Sequence, residues 1–172
     1  MRKQTIYVLG FLAQFFMGVF VFGTIYAALF RLLMIESSPL TAVIIGLIHG
    51  LLVGLSLPIV VKIDPGMRSG RTPYPGIMAI NFGWIAAFGL VGAHVVYGII
   101  YGAFYVGGSH YFDLGSAWIA GFLGTIGMTI VVEAGRLLKI SDASTVAMLA
   151  TTIDVILSET LERLKHRTIA SG

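Results

Sequence analysis

The 172-residue chain contains no cysteine and unusually few charged residues. The absence of cysteine excludes disulfides, thiolate metal sites, cysteine-ligated iron–sulfur clusters and cysteine nucleophiles. Charged residues make up 11% of the chain, whereas about a quarter of a soluble globular protein is charged. Hydrophobic residues make up 57%, and the mean hydropathy is +0.93. This composition excludes an ordinary soluble protein and is typical of a membrane domain.

Catalytic and nucleotide-binding signatures are also missing from the sequence. Its 22 glycines form neither a Walker A motif nor a GxGxxG motif after a strand, so phosphate binding has no support. The sequence has no serine elbow, no H-E-x-x-H motif and no paired acids within an apolar run. The net charge is only +3, and the basic residues lie at the ends of apolar runs. Membrane topology explains these residues better than a nucleic-acid partner does, and nothing in the sequence argues for an enzyme.

Four long apolar runs are present, and each can cross a bilayer, whose hydrocarbon core needs about 20 residues of helix. We expect transmembrane helices at about 6–30, 41–61, 77–105 and 116–138. The first run is about 25 residues long, which exceeds the 7–15 apolar residues of a signal peptide. The sequence therefore predicts an all-α fold, in which residues 1–140 form a bundle of four transmembrane helices.

The distribution of basic residues predicts how the chain is oriented in the membrane. The segment 62–76 contains Lys62, Arg68 and Arg71, and short cytoplasmic loops accumulate such residues. The segment 106–115 contains neither lysine nor arginine, as expected of an external loop. Both termini are therefore predicted to be cytoplasmic, and Arg31 is the one basic residue on the other side. Tyr101, Phe104 and Tyr105 are expected to form an interfacial aromatic belt.

Glycines recur at helical spacing within the predicted spans. Small residues four apart line one side of a helix and allow two helix backbones to approach closely. The glycines expected to line such packing faces are Gly46, Gly50, Gly54, Gly98, Gly102, Gly121 and Gly124. Their spacing predicts close packing inside the bundle or against a partner in the membrane.

Two histidines, His49 and His94, lie inside predicted spans. His49 is about 12 Å from the outer start of the second span, and His94 is about 10–16 Å from the outer end of the third, at 1.5 Å per residue. The pair therefore shares one depth on consecutive antiparallel helices, where the two imidazoles could ligate a b-type haem iron axially. Hydrogen bonding between helices is the leading interpretation, and proton or ion handling is another.

Other polar residues inside or beside the spans are fewer. Gln14 and Asn81 are amides within the first and third spans, where single amides usually make packing hydrogen bonds. Glu133 and Arg136 are three residues apart and are expected to pair at the cytoplasmic interface. Residues 141–172 are expected to form a cytoplasmic amphipathic helix, at about 144–167, followed by a short tail.

Three functions remain open on the sequence alone. The leading one is a non-catalytic assembly or accessory subunit that packs in the lipid bilayer, as a homo-oligomer or in a larger complex, through glycine-lined faces. A second is a bis-histidine electron-transfer protein that carries haem b on His49 and His94. A third is a small transporter or channel, which requires both histidines, Gln14 and Asn81 to converge on one cavity.

Overall fold

The computed structural model describes residues 3–138 and 153–160, and the described residues form helices joined by short loops. Four of the helices are long and apolar enough to cross a membrane, which confirms the predicted all-α bundle. Helix α1 is continuous over 3–32 and consists of an α-helical section Lys3–Phe16, a π-helical section Met17–Phe22 and an α-helical section Gly23–Leu32. The other three are α2 at Pro39–Ile63, α3 at Trp84–Phe104 and α4 at Leu114–Leu137.

Helices α2 and α4 begin at side-chain caps that the local sequence supplies. Ser38 accepts a hydrogen bond from the Thr41 backbone N–H at 3.2 Å, and Thr41 Oγ1 accepts one from the Ser38 N–H at 3.1 Å. Pro39 follows at the first position of the helix, where its missing N–H costs nothing. Asp113 caps α4 by accepting from the Ser116 N–H. These caps satisfy N–H groups that a helix start leaves without an internal partner.

The third span begins later than the predicted residue 77. Residues Ile77–Phe82 form a 3₁₀ turn in which Met78 and Ala79 have φ of 55° and 59°, and Gly83 follows with φ of 97°. A left-handed backbone of this kind interrupts an α-helix, so α3 begins at Trp84. Hydropathy does not detect the interruption, because these residues are as apolar as the helix that follows.

The bundle has an order that differs from the order of the chain. The closest backbone contacts are between α2 and α3, between α3 and α4, and between α4 and α1, whereas α1 and α2 approach each other at few points. The interior is filled by aromatic and small side chains: Tyr26, Ala27, Phe30, Ala42, Tyr97, Tyr101, Tyr105, Ala117 and Ala120. The outer faces carry exposed aliphatic and aromatic side chains, as a surface in contact with lipid requires.

The predicted C-terminal amphipathic helix lies largely outside the described residues. Residues 153–160 are helical, and Val155 within them is 1% exposed. Arg71 Nη1, in the segment between α2 and α3, is 3.5 Å from Ser158 Oγ. The described part of the tail therefore lies beside the basic segment 62–76.

Candidate functional site

Two tyrosines of α3 connect it to the backbone of α1 through the centre of the bundle. The Tyr97 hydroxyl donates to the Gly18 carbonyl at 2.8 Å, and the Tyr101 hydroxyl donates to the Gly23 carbonyl at 2.7 Å. Gly18 lies in the π-helical section, where its carbonyl also accepts from the Gly23 N–H five residues on. The prediction that Tyr101 and Tyr105 belong to an aromatic belt is therefore wrong, because both are buried at 0% and 4% exposure. Their four-residue spacing with Tyr97 is the sequence signal that places them on one inward face.

His49, His94 and Tyr26 form a polar cluster where α1, α2 and α3 meet. The ring centroids of the two histidines are 4.6 Å apart at an interplanar angle of 79°. Tyr26 Oη lies 3.2 Å from His49 Nδ1, and the Phe22 ring packs against the His49 ring with centroids 4.3 Å apart. His94 Nδ1 lies 2.7 Å from the carbonyl oxygen of Leu90, one turn earlier in its own helix. The structure thus brings together the two histidines that the sequence singled out and adds Tyr26.

The hydrogen bonds of the cluster limit the proton positions on its rings. A carbonyl oxygen only accepts, so His94 carries a proton on Nδ1, and in the neutral ring Nε2 then has a lone pair. His49 Nε2 is buried and has no hydrogen-bond partner among the described residues. When Tyr26 donates to His49 Nδ1, the neutral His49 ring carries its proton on Nε2.

This arrangement does not fit a haem held between the two histidines. Axial imidazoles stand on opposite faces of a porphyrin with the iron between them, whereas these rings are in direct contact. The glycines beside the pair do not provide a slot either. A methyl group added at Gly46 would lie 2.5 Å from the His94 carbonyl oxygen, and one added at Gly98 would collide with the Ala42 backbone. The space a porphyrin needs is occupied by the α2–α3 contact.

The seven glycines singled out from the sequence all lie against other parts of the chain. Four of them, Gly46, Gly50, Gly98 and Gly102, lie at the contact between α2 and α3. The other three are Gly54 against Met78 and Leu90, Gly121 against the α1 backbone, and Gly124 against the Tyr97 ring. In contrast, a Cβ added at Gly89 or Gly92 of α3 would meet no atom of the described chain within 4 Å. Gly89 and Gly92 are not among the glycines that the sequence analysis expected to line packing faces.

The remaining polar residues do not converge on the histidines. Gln14 Nε2 donates to Thr129 Oγ1 of α4 at 3.0 Å, and Gln14 Oε1 is buried with no partner among the described residues. Asn81 is exposed and donates to the Tyr74 carbonyl at 3.2 Å. Glu133 and Arg136 form an ion pair at 2.7 Å near the end of α4. The four polar groups that a transport cavity requires are thus divided among three places.

The end of the bundle that carries Arg31 holds a small polar cluster that sequence reasoning missed. Arg31 Nη1 donates to the Ser109 carbonyl at 2.8 Å. The Ser109 hydroxyl donates to the Glu36 carboxylate, and His110 Nε2 lies 3.5 Å from the same carboxylate. These contacts join the α1–α2 loop to the α3–α4 loop. They provide a local partner for Arg31, the one basic residue that is predicted to lie on the external side.

A groove of about 460 Å³ separates α1 from α2 and opens on the outer surface of the bundle. Its walls are almost entirely hydrocarbon, with Ile25, Leu29 and Leu33 from α1 and its end, and Ile48 and Leu52 from α2. Tyr26 and His49 form part of its lining. The groove exists because α1 packs on α4 and not on its neighbour in the chain.

Comparisons with protein-family models, curated proteins and solved structures found no match to this chain. The class of the protein is therefore defined by its own features. Four long apolar helices with lipid-compatible outer faces make it a small multi-pass integral membrane protein.

Proposed function

We propose that this protein is a non-catalytic membrane subunit that assembles in the bilayer through the outer face of α3. One observation supports the proposal. Gly89 and Gly92 have open space beside them, whereas the glycines of the α2–α3 contact are packed against the neighbouring helix. Without a hydrophobic driving force in lipid, helices associate where small residues let backbones approach closely. Gly89 and Gly92 provide such a place on the outer surface of the bundle.

The residues around the two open glycines suit a packing face. Ile85 and Phe88 lie one turn before them, are 59% and 73% exposed, and stand beside the glycines as large apolar side chains. Large side chains next to small ones give two helices complementary ridges and hollows. Because every copy has the same orientation in the membrane, the same face of a second copy can pair with this one about an axis along the membrane normal. Self-association is thus the assembly that we propose first, and a larger membrane complex is the alternative.

The interior supports a structural role for the polar residues. Tyr97 and Tyr101 donate to α1 carbonyls, and His94 donates to the Leu90 carbonyl. A buried polar group in lipid must find a partner, and here the partners are neighbouring helices and the helix backbone. These bonds favour a stabilising function over catalysis, haem ligation or transport, and no interaction with nucleic acid is proposed.

We further propose that both termini and the segment 62–76 face the cytoplasm. Ten of the eleven lysines and arginines then lie on the cytoplasmic side. The eleventh, Arg31, is bound to the Ser109 carbonyl at the opposite end of the bundle. The helix expected at about 144–167 would then be cytoplasmic, which is consistent with the contact of Ser158 with Arg71 of the segment 62–76.

Assembly is tested by measuring mass in lipid nanodiscs together with chemical crosslinking in native membranes. We expect a discrete oligomer for the wild type and a monomer for the double variant Gly89→Leu with Gly92→Leu. Gly115→Leu is the matched control, because a Cβ at this exposed glycine of α4 meets only Asp113 Oδ1, at 3.6 Å. A monomeric wild type in native membranes, or an oligomer unchanged in the double variant, would overturn the proposal.

A further inference from the structure

We infer that the groove between α1 and α2 binds one acyl chain of a phospholipid. The groove lies on a different side of the bundle from the α3 face, so this inference does not depend on the proposed assembly. Two helices that follow each other in the chain usually pack together, but α1 and α2 approach at few points, and about 460 Å³ lies between them. This volume falls within the range of about 300–1,000 Å³ found for ligand pockets.

The groove is long and runs along the two helices. Its lining extends from Phe22 to Leu33 along α1 and from Ile45 to Ser56 along α2. Eleven residue steps at 1.5 Å each give about 16 Å on each wall. The two stretches are offset, because Leu33 lies at the end of α1 whereas Ile45 lies six residues, about 9 Å, inside α2. The groove therefore begins beside the membrane interface at Leu33 and extends on the α2 wall past the half-thickness of about 15 Å of the hydrocarbon core.

The chemistry of the walls selects hydrocarbon. The groove is lined by apolar side chains and contains no lysine, arginine, aspartate or glutamate. Ser56 Oγ donates to the Val53 carbonyl of its own helix at 2.8 Å, and His49 Nδ1 is paired with Tyr26. The hydroxyl groups of Ser56 and Tyr26 are thus engaged within the protein. An uncharged chain without hydrogen-bonding groups suits these walls, because it brings no polar group that they would leave unpaired.

A transmembrane helix of a partner fits the groove less well than an acyl chain does. Such a helix crosses the whole hydrocarbon core and has a diameter of about 10 Å with its side chains. A cylinder of that diameter and about 30 Å long occupies on the order of 2,000 Å³, several times the 460 Å³ of the groove. An acyl chain is narrow, lies parallel to the helices and is present at this depth in every bilayer.

The test uses full-length protein in vesicles of phosphatidylcholine that carries a photoactivatable diazirine midway along one acyl chain. We expect labelling to be at least threefold denser on the groove-lining residues of α1 and α2 than on equally exposed positions of α4. Leu52→Trp, which places bulk in the groove, should reduce labelling of the α1 wall at least threefold. Leu55→Trp is the matched control, because Leu55 is on the same helix and similarly exposed, at 53% against 61% for Leu52, but does not line the groove.

Ile25→Trp narrows the groove from the opposite wall and serves as a second variant where Leu52→Trp fails to fold. Labelling spread evenly over all exposed positions would mean that only annular lipid is present, and it would overturn the inference. Crosslinks from the groove walls to a second copy or to another protein would also overturn it, because a protein would then occupy the groove.

Discussion

The imidazole rings of His49 and His94 contact each other edge to face, with centroids 4.6 Å apart. Each ring is held by a different partner, since His49 is bonded to Tyr26 of α1 and His94 to the Leu90 carbonyl of its own helix. The pair therefore connects three helices at one point. Its geometry is that of a packed hydrogen-bonding cluster, and this has a direct spectroscopic consequence.

Haem should not bind between the two histidines. We expect protein expressed with supplied haem and purified in mild detergent to show no Soret band and no redox-sensitive visible bands, because the rings leave no layer for a porphyrin. The spectra of His49→Ala and His94→Ala should match that of the wild type. A Soret band that both substitutions remove would show that the helices separate to admit the cofactor, and it would restore the electron-transfer interpretation.

Removal of the Tyr101 hydroxyl should destabilise the bundle. Tyr101→Phe leaves the Gly23 carbonyl without this donor inside the protein, at a cost of about 1 kcal/mol, the usual net value of one hydrogen bond. Tyr97→Phe should have a similar effect through Gly18. Thermal unfolding in detergent measures the change. Tyr111→Phe is the control, because this exposed hydroxyl bonds to a loop carbonyl at 2.8 Å, and its loss should have a smaller effect. Equal unfolding temperatures for the wild type and both core variants would contradict the role of these bonds.

A large side chain at the α2–α3 contact should destabilise the protein far more than a large side chain on the outer face of α3. In Gly50→Leu the new Cβ would lie 3.0 Å from the Val91 Cα, which belongs to the backbone and cannot rotate away. We expect a loss of about 1–3 kcal/mol, as for other overpacked sites. Gly89→Leu is the matched control, since its Cβ meets open space. Thermal stability of monomeric protein in detergent distinguishes them, and a Gly50→Leu variant as stable as Gly89→Leu would disprove close packing at this site.

The number of spans could be predicted from the sequence because crossing a bilayer imposes a length and a hydropathy that are visible in any long apolar run. The shared depth of His49 and His94 could also be predicted, since two antiparallel helices place residues at equal distances from their shared end at one level. That the two rings contact each other could not be predicted, because it depends on the rotation of each helix. The interruption at Gly83 and the packing of α1 on α4 were not predictable in this way. Both depend on backbone angles and helix rotation, and the apolar composition of a segment carries no information about either. For the same reason, the sequence could not show that Gly89 and Gly92 lie beside open space.

The cap of α4 should make the protein sensitive to acid. The Ser116 backbone N–H and hydroxyl interact with the Asp113 carboxylate and lower its pKa below the ordinary value of 3.8. A carboxyl group whose pKa is lower in the folded than in the unfolded protein stabilises the fold at pH values above its unfolded pKa. This stabilisation is lost as the pH falls through the folded pKa. Protonation of Asp113 should thus lower the unfolding temperature as the pH falls below about 3.8. Asp113→Ser keeps a capping hydroxyl without a titrating charge, so its decline should be shallower. Parallel pH profiles for the two proteins would contradict this assignment.

The packing of α1 on α4 sets an order of events during synthesis. The α2–α3 hairpin can form as soon as both helices have left the ribosome, because its partners are adjacent in the chain. Helix α1 precedes these helices in the chain but contacts α4 most closely, so its final packing is not complete until translation has passed Leu137. During that interval Gln14 Nε2 lacks its Thr129 partner. The contact between α1 and α4 is therefore the last to form, whereas α1 can bond to Tyr97 and Tyr101 of α3 before α4 is made.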